Sequence, residues 1–133
     1  MLSYVMLGAD DISASERFFT ALLSPLGYEI TRFGSDKVVY SLPNMRDPHN
    51  GPGAVYVTKP YDGKQASVGN GSMTAFRVNS AQMVEELHSA GVEAGGTDEG
   101  APGFRAEYSD DFYVAYLRDP LGNKVALFFT LNR

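Results

Sequence analysis

Met73-Thr74-Ala75-Phe76-Arg77-Val78-Asn79-Ser80, continued by Ala81 to Ala90 and ended by Gly91, is the stretch on which the fold turns. Met73–Val78 has strand length, and Asn79 or Ser80 offers a side-chain oxygen as a helix N-cap. Met83, Val84 and Leu87 then fall on one helical face, and Gly91 is a stop signal. The same grammar opens the chain. Leu2–Leu7 is apolar and ends at Gly8. Asp10 and Asp11 offer the cap, with Ser13 and Ser15 as competitors. From Ile12 onward Phe18, Phe19, Leu22 and Leu23 recur at helical spacing until Pro25 and Gly27.

Each helix is succeeded by strand-like segments. Tyr28–Phe33 and Lys37–Leu42 flank the hairpin signal Gly34-Ser35-Asp36, and Ala54–Thr58 comes after a loop spanning Asn44 to Gly53. Asp62 to Gly71 is Gly-rich and polar, and Gly69-Asn70-Gly71 reads as the linker between halves. After the second helix come Val92–Glu93, a Gly/Pro loop from Gly95 to Gly103, then Tyr113–Arg118 and Lys124–Leu131 around the turn Asp119-Pro120-Leu121-Gly122-Asn123. The expected architecture is α+β. Two tandem βαβββ modules, about 1–68 and 69–133, form one domain with a cupped mixed sheet and helices on its outer face. Neither half buries a strand face well alone, which is the physical reason for keeping them together. The side without a helix must face a pocket or a second chain.

Composition narrows the chemistry. The chain has 133 residues, 11 Lys+Arg against 16 Asp+Glu (net −5), two His and no Cys. No cysteine means no disulfide, thiolate metal site or thiol nucleophile. An acidic chain without a basic stripe is a poor partner for nucleic acid. No signal-peptide or membrane-spanning stretch opens the chain, so the expectation is a cytoplasmic protein with no membrane partner.

Val5-Met6-Leu7-Gly8-Ala9-Asp10-Asp11 at the start and Asp119-Pro120-Leu121-Gly122-Asn123-Lys124 near the end, set in this duplicated order, resemble the vicinal oxygen chelate superfamily of glyoxalases, extradiol dioxygenases and bleomycin-resistance proteins. The segment from Ala94 to Gly103, followed by Phe112-Tyr113, resembles a bacterial glyoxalase-like branch. The resemblance covers essentially the whole chain. It implies metal ligands, two His and a Glu, at the positions held here by Tyr4, Met73 and Ala126. A phenol, a thioether and a methyl group do not make the imidazole and carboxylate set such sites use. The expectation is therefore no metal and no cofactor. The resemblance also implies pairing of two chains, since members of the superfamily complete each cup with halves of two copies, so a homodimer is expected.

An apolar, polarizable surface in place of a metal suits a small aromatic or amphipathic ligand. The candidate ligand-binding residues are Tyr4, Met73 and Ala126, with Phe128 two residues further along the last strand and Tyr40 and Tyr56 on neighbouring strands. Packing of Tyr4 and Met73 against a partner is an equal alternative. No catalytic residue is assigned. His49 in its Asp/Pro/Asn/Gly loop reads as solvated, His88 as helix surface beside Glu85 and Glu86, and Glu107, Asp110 and Asp111 as an acidic turn. Three functions compete: a metal-free binding protein like the bleomycin-resistance members, an enzyme (a metal-dependent lyase or dioxygenase, or a metal-free one using Tyr4 or Glu107), and an interaction module.

Overall fold

In the computed structural model, which describes residues 1–131, the chain builds one motif twice. Asn132 and Arg133, which belong to the expected second module, lie outside the described residues. The first copy is β1 (Tyr4–Gly8), α1 (Ile12–Leu23), β2 (Glu29–Phe33), β3 (Lys37–Ser41) and β4 (Ala54–Thr58). The second is β5 (Thr74–Arg77), α2 (Ala81–Glu93), β6 (Thr97–Phe104), β7 (Tyr113–Arg118) and β8 (Lys124–Phe129). The strands form two four-stranded sheets with equivalent order, β1-β4-β3-β2 and β5-β8-β7-β6. In each, the first strand runs parallel to the last, and the other pairs are antiparallel.

Both helices begin as their sequences dictate. Asp11 accepts the N–H of Ala14 at 3.0 Å, and Ser80 accepts that of Met83 at 3.0 Å. The buried residues of α1 are Ser15, Phe18, Phe19, Leu22 and Leu23, an i, i+3, i+4, i+7, i+8 stripe against the sheets. After α1 a single 3-10 turn, Ser24–Leu26, ends at Gly27, whose φ of 91° lies in the left-handed region.

Two local expectations are corrected. Gly91 does not end α2, which runs on to Glu93. A Cβ at Gly91 would sit 2.9 Å from Leu117 and 3.1 Å from Leu22, so this glycine lets α1 and β7 close on the helix. The Gly/Pro stretch from Gly95 to Gly103 is largely strand β6, paired with β7 through register shifts at Asp98/Gly100 and Gly100/Gly103. Bulges accommodate residues that propensity alone assigns to a loop. A Cβ at Gly100 would sit 2.7 Å from Tyr116, so the ring of β7 occupies the space a side chain would need.

The helix-covered faces of both sheets share one core, in which Phe18, Leu22, Val55 and Val57 belong to the same cluster as Phe76, Val84, Leu117 and Leu127. Polar bonds also cross between modules. Asn123 donates to the Gly8 carbonyl at 2.9 Å, and Arg17 Nε donates to the Ala94 carbonyl at 3.3 Å. Each sheet keeps a second, helix-free face.

Candidate functional site

Strand alternation decides which residues reach the helix-free faces. In β1, Val5 and Leu7 pack on the core, so Tyr4 and Met6 point away from it. Met6 and Tyr56 are register partners, as are Val39 and Tyr56, and Thr31 and Val39. One face therefore carries Tyr4, Met6, Thr31, Phe33, Lys37 and Tyr56. Its rings are in contact: Tyr4 and Tyr56 lie 5.0 Å apart between centroids, tilted by 47°. The Lys37 ammonium sits 5.3 Å from the Phe33 ring centre and 5.8 Å from that of Tyr56.

A loop closes over part of this face. The 3-10 turn Pro48–Asn50 brings His49 edge-on to Phe33 at 5.4 Å, with Nε2 3.3 Å from the Thr31 hydroxyl. The Tyr56 hydroxyl donates to the His49 carbonyl at 2.8 Å. Burial, then the neighbouring Tyr4 and Asp47, pushes the Tyr56 phenol above its ordinary pKa, so it stays a neutral donor. His49 is thus half-buried on a sheet face, where the sequence suggested a solvated loop histidine. Its partners come from β2 and β4, and nothing local to the Asp-Pro-His-Asn loop announces them.

The second helix-free face is built the same way. Ala75 and Ala126 are register partners, as are Tyr116 and Ala126, Arg77 and Phe128, and Val114 and Phe128. Phe112 lies 5.5 Å from Phe128, and the Arg77 guanidinium is 4.7 Å from the Phe128 ring centre. Tyr116 has two cations over its ring, Lys124 at 5.0 Å and Arg105 at 5.9 Å. Burial and the nearby Tyr108 hold the Tyr116 phenol above its usual pKa, against the opposing charge of Arg105.

The six candidate ligand residues therefore do not share one wall within a chain. Tyr4 and Tyr56 meet on the first face, and Ala126 and Phe128 share the second. Met73 precedes β5 and stands half-exposed beside Leu7, Val68 and Lys124 at the seam between modules. Tyr40 points the other way: it is 1% exposed in the core, and its hydroxyl bonds to Thr20 Oγ1 at 2.9 Å and the Glu16 carbonyl at 3.0 Å. Its register partner Val55 is also a core residue, so alternation alone puts it under α1. Between the edge strands β1 and β5 lies a groove of about 150 Å³ touching Tyr4, Tyr28, Ala54, Ala75 and Phe76. That is well below the about 300 Å³ at which small-molecule pockets begin.

The metal positions implied by the resemblance can be tested on these side chains. Tyr4 presents its ring to Tyr56, Met73 offers a thioether, and Ala126 is a methyl group only 2% exposed. This set does not fit a hard or borderline divalent cation. Among the described residues no three His, Asp or Glu side chains gather where a cation could be held. The two histidines serve elsewhere, His49 over the first face and His88 on α2, where it meets Asp98 of β6 at 2.9 Å in place of the expected helix acids.

Several solved structures share this fold. A crystal structure of a glyoxalase/bleomycin resistance protein from Albidiferax ferrireducens T118 is 37% identical, covers 97% of this chain and 98% of its own, and superposes with a TM-score of 0.81. A glyoxalase-related enzyme from Fulvimarina pelagi (18% identity, 98% of this chain and 88% of that one, TM-score 0.74) shares the fold. So does a lactoylglutathione lyase from Agrobacterium tumefaciens (18% identity, 97% and 92%, TM-score 0.65). No family model matches the chain, and no curated protein does.

Proposed function

The chain belongs to the glyoxalase/bleomycin resistance protein family, within the vicinal oxygen chelate superfamily, and we propose that within it the protein binds a small aromatic molecule without a metal at the family's ligand positions. The observation that carries this reading is the replacement of the implied donors by Tyr4, Met73 and Ala126, on faces otherwise lined by Tyr56, Phe128 and Tyr116. Rings of this kind supply area and polarizability for stacking, at little cost in side-chain entropy. They supply no Lewis acid.

A second copy of the chain is part of the proposal. The groove between β1 and β5 is too small to enclose a ligand, and Tyr4 and Tyr56 lie on a different sheet from Ala126 and Phe128. Tyr4 is 41% and Met6 57% exposed, so the first face offers apolar area to a partner. In the proposed dimer the first face of one copy meets the second face of the other, and each cup draws residues from both. The proposed setting is the cytoplasm, which cell fractionation checks. No helix among the described residues is long and apolar enough to cross a membrane.

The test combines three measurements on the full chain. Light scattering is expected to give twice the chain mass, and elemental analysis of protein purified without chelator less than about a tenth of a divalent metal per chain. A thermal-shift screen of aromatic compounds is expected to give hits, since binding to the folded state raises the melting temperature by mass action. One divalent metal per chain, lost in Tyr4→Ala, would overturn the reading in favour of a metal-dependent lyase or dioxygenase. A monomer that no aromatic compound stabilises would overturn it outright.

A further inference from the structure

The strand residues of the helix-free faces carry a charge balance opposite to that of the chain, while the acidic Glu107 of the β6–β7 loop also acts on Tyr116. The whole sequence carries 16 acidic against 11 basic residues. Among strand residues on the helix-free faces the order reverses: Lys37, Arg77, Arg118 and Lys124 stand against Glu29 and Glu99, four to two. Glu99 is already committed to Arg118, at 3.1 Å. Lys37 and Lys124 have no carboxylate within ion-pair distance among the described residues, and each lies half-buried over an aromatic ring. Arg105 joins Lys124 over the same Tyr116 ring, and among the described residues its guanidinium donates to the carbonyls of Phe104 and Ala101 and to no carboxylate.

This is an unusual use of cations. A half-buried ammonium loses part of its hydration, and a ring face returns only part of that energy. An anionic group brought beside Tyr116 would gain charge-assisted bonds from Lys124 or Arg105, which reach the ring from β8 and from the end of β6 on either side of β7. The same approach lays a planar ligand beside Tyr116, whose half-buried ring packs over Gly100 and keeps part of its surface exposed.

Resting on the ligand-binding reading above, we propose that the ligand is an aromatic small molecule bearing an anionic group, carboxylate or phosphate, whose charge is held by Lys124 or Arg105 beside Tyr116. Lys37 between Phe33 and Tyr56 is the corresponding cation of the first face. In a cup made from two copies, both cations border the same ligand space.

The test is a fluorescence titration of the full chain with three naphthalene probes: 2-naphthoate, 2-naphthyl phosphate and the neutral 2-naphthamide. One of the two anions is expected to bind at least about tenfold more tightly than the amide, with the preference shrinking as salt is raised. Which anion wins separates a carboxylate ligand from a phosphate. Lys124→Met is expected to remove most of that preference, read as the ratio of anion to naphthamide affinity, and Lys124→Arg to restore it. Naphthamide binding as tightly as both anions would overturn the anionic assignment alone and leave the aromatic-ligand reading standing. An anion preference unchanged in both Lys124→Met and Arg105→Met would also overturn it. No binding of any of the three probes would overturn both readings together.

Discussion

The side-chain amide of Asn123 donates to the backbone carbonyl of Gly8 at 2.9 Å, joining the β7–β8 turn of the second module to the end of the first strand of the first. The same amide donates to Asp119 Oδ2 at 2.8 Å, while Asp119 Oδ1 accepts the backbone N–H groups of Leu121, Gly122 and Asn123. Asp119 is 3% and Asn123 9% exposed, so the two bonds between these residues are buried and the others are partly so. Asn123→Ala leaves the Gly8 carbonyl and Asp119 Oδ2 each short of a donor and is expected to cost about 2 kcal/mol. Urea denaturation measures this, and a loss under about 0.5 kcal/mol would mean water replaces the bridge freely.

Gly96 is crowded in the same manner as Gly91. A Cβ there would meet the Phe18 ring and lie 2.8 Å from the Gly91 carbonyl, at the point where α1 crosses the start of β6. Gly96→Ala is therefore expected to destabilise the protein by about 2 kcal/mol through overpacking. Its effect should appear as a lower thermal midpoint with unchanged far-ultraviolet circular dichroism below the transition.

Tyr40, which looked from its strand position like a ligand residue, is expected to report on stability instead. Burial pushes its phenol up to about 12 from the ordinary 10.0. Its ionised form is disfavoured in the folded state, so its contribution is complete below pH 10 and is lost as the pH rises towards about 12. Tyr40→Phe should cost about 1 kcal/mol at neutral pH, by removing the bonds to Thr20 and the Glu16 carbonyl. It should also flatten part of the stability loss measured between pH 10 and 12, while leaving binding of an aromatic probe unchanged.

Tyr56 holds the loop that carries His49 through its 2.8 Å bond to the His49 carbonyl. Tyr56→Phe keeps the ring against Tyr4 and removes that tether. Amide exchange of Asn50 and Gly51, which donate to the Asp47 and Pro48 carbonyls, is expected to speed up about fivefold. Unchanged exchange would show that the Phe33 and Thr31 contacts of His49 hold the loop unaided.

Most of the fold was legible because its signals are local. The caps at Asp11 and Ser80, the α1 stripe from Ser15 to Leu23 and the alternation of Val5 and Leu7 with Tyr4 and Met6 each depend on neighbours a few residues away. The β6 strand is not legible in the sequence, because Gly95 to Gly103 has a loop's composition. It is a strand only because β7 supplies the partner and Tyr116 fills the space beside Gly100. Likewise the acids beside His88 on α2 are its neighbours in sequence, whereas its partner is Asp98, a residue that is near only once β6 exists. That pairing and the Gly100 N–H hold the Asp98 carboxyl below its ordinary pKa.

The sequence by itself determined the duplicated α+β motif and the starts of its helices. These depend on residue type, spacing and capping, which act over one or two turns of chain. Only the tertiary structure decided which side chains share a face. It sent Tyr40 to the core, brought His49 onto Phe33 and Thr31, and gathered Lys124 and Arg105 over Tyr116. The reason is strand register: a one-residue difference in pairing turns every side chain to the other face, and register is set by partners distant in sequence.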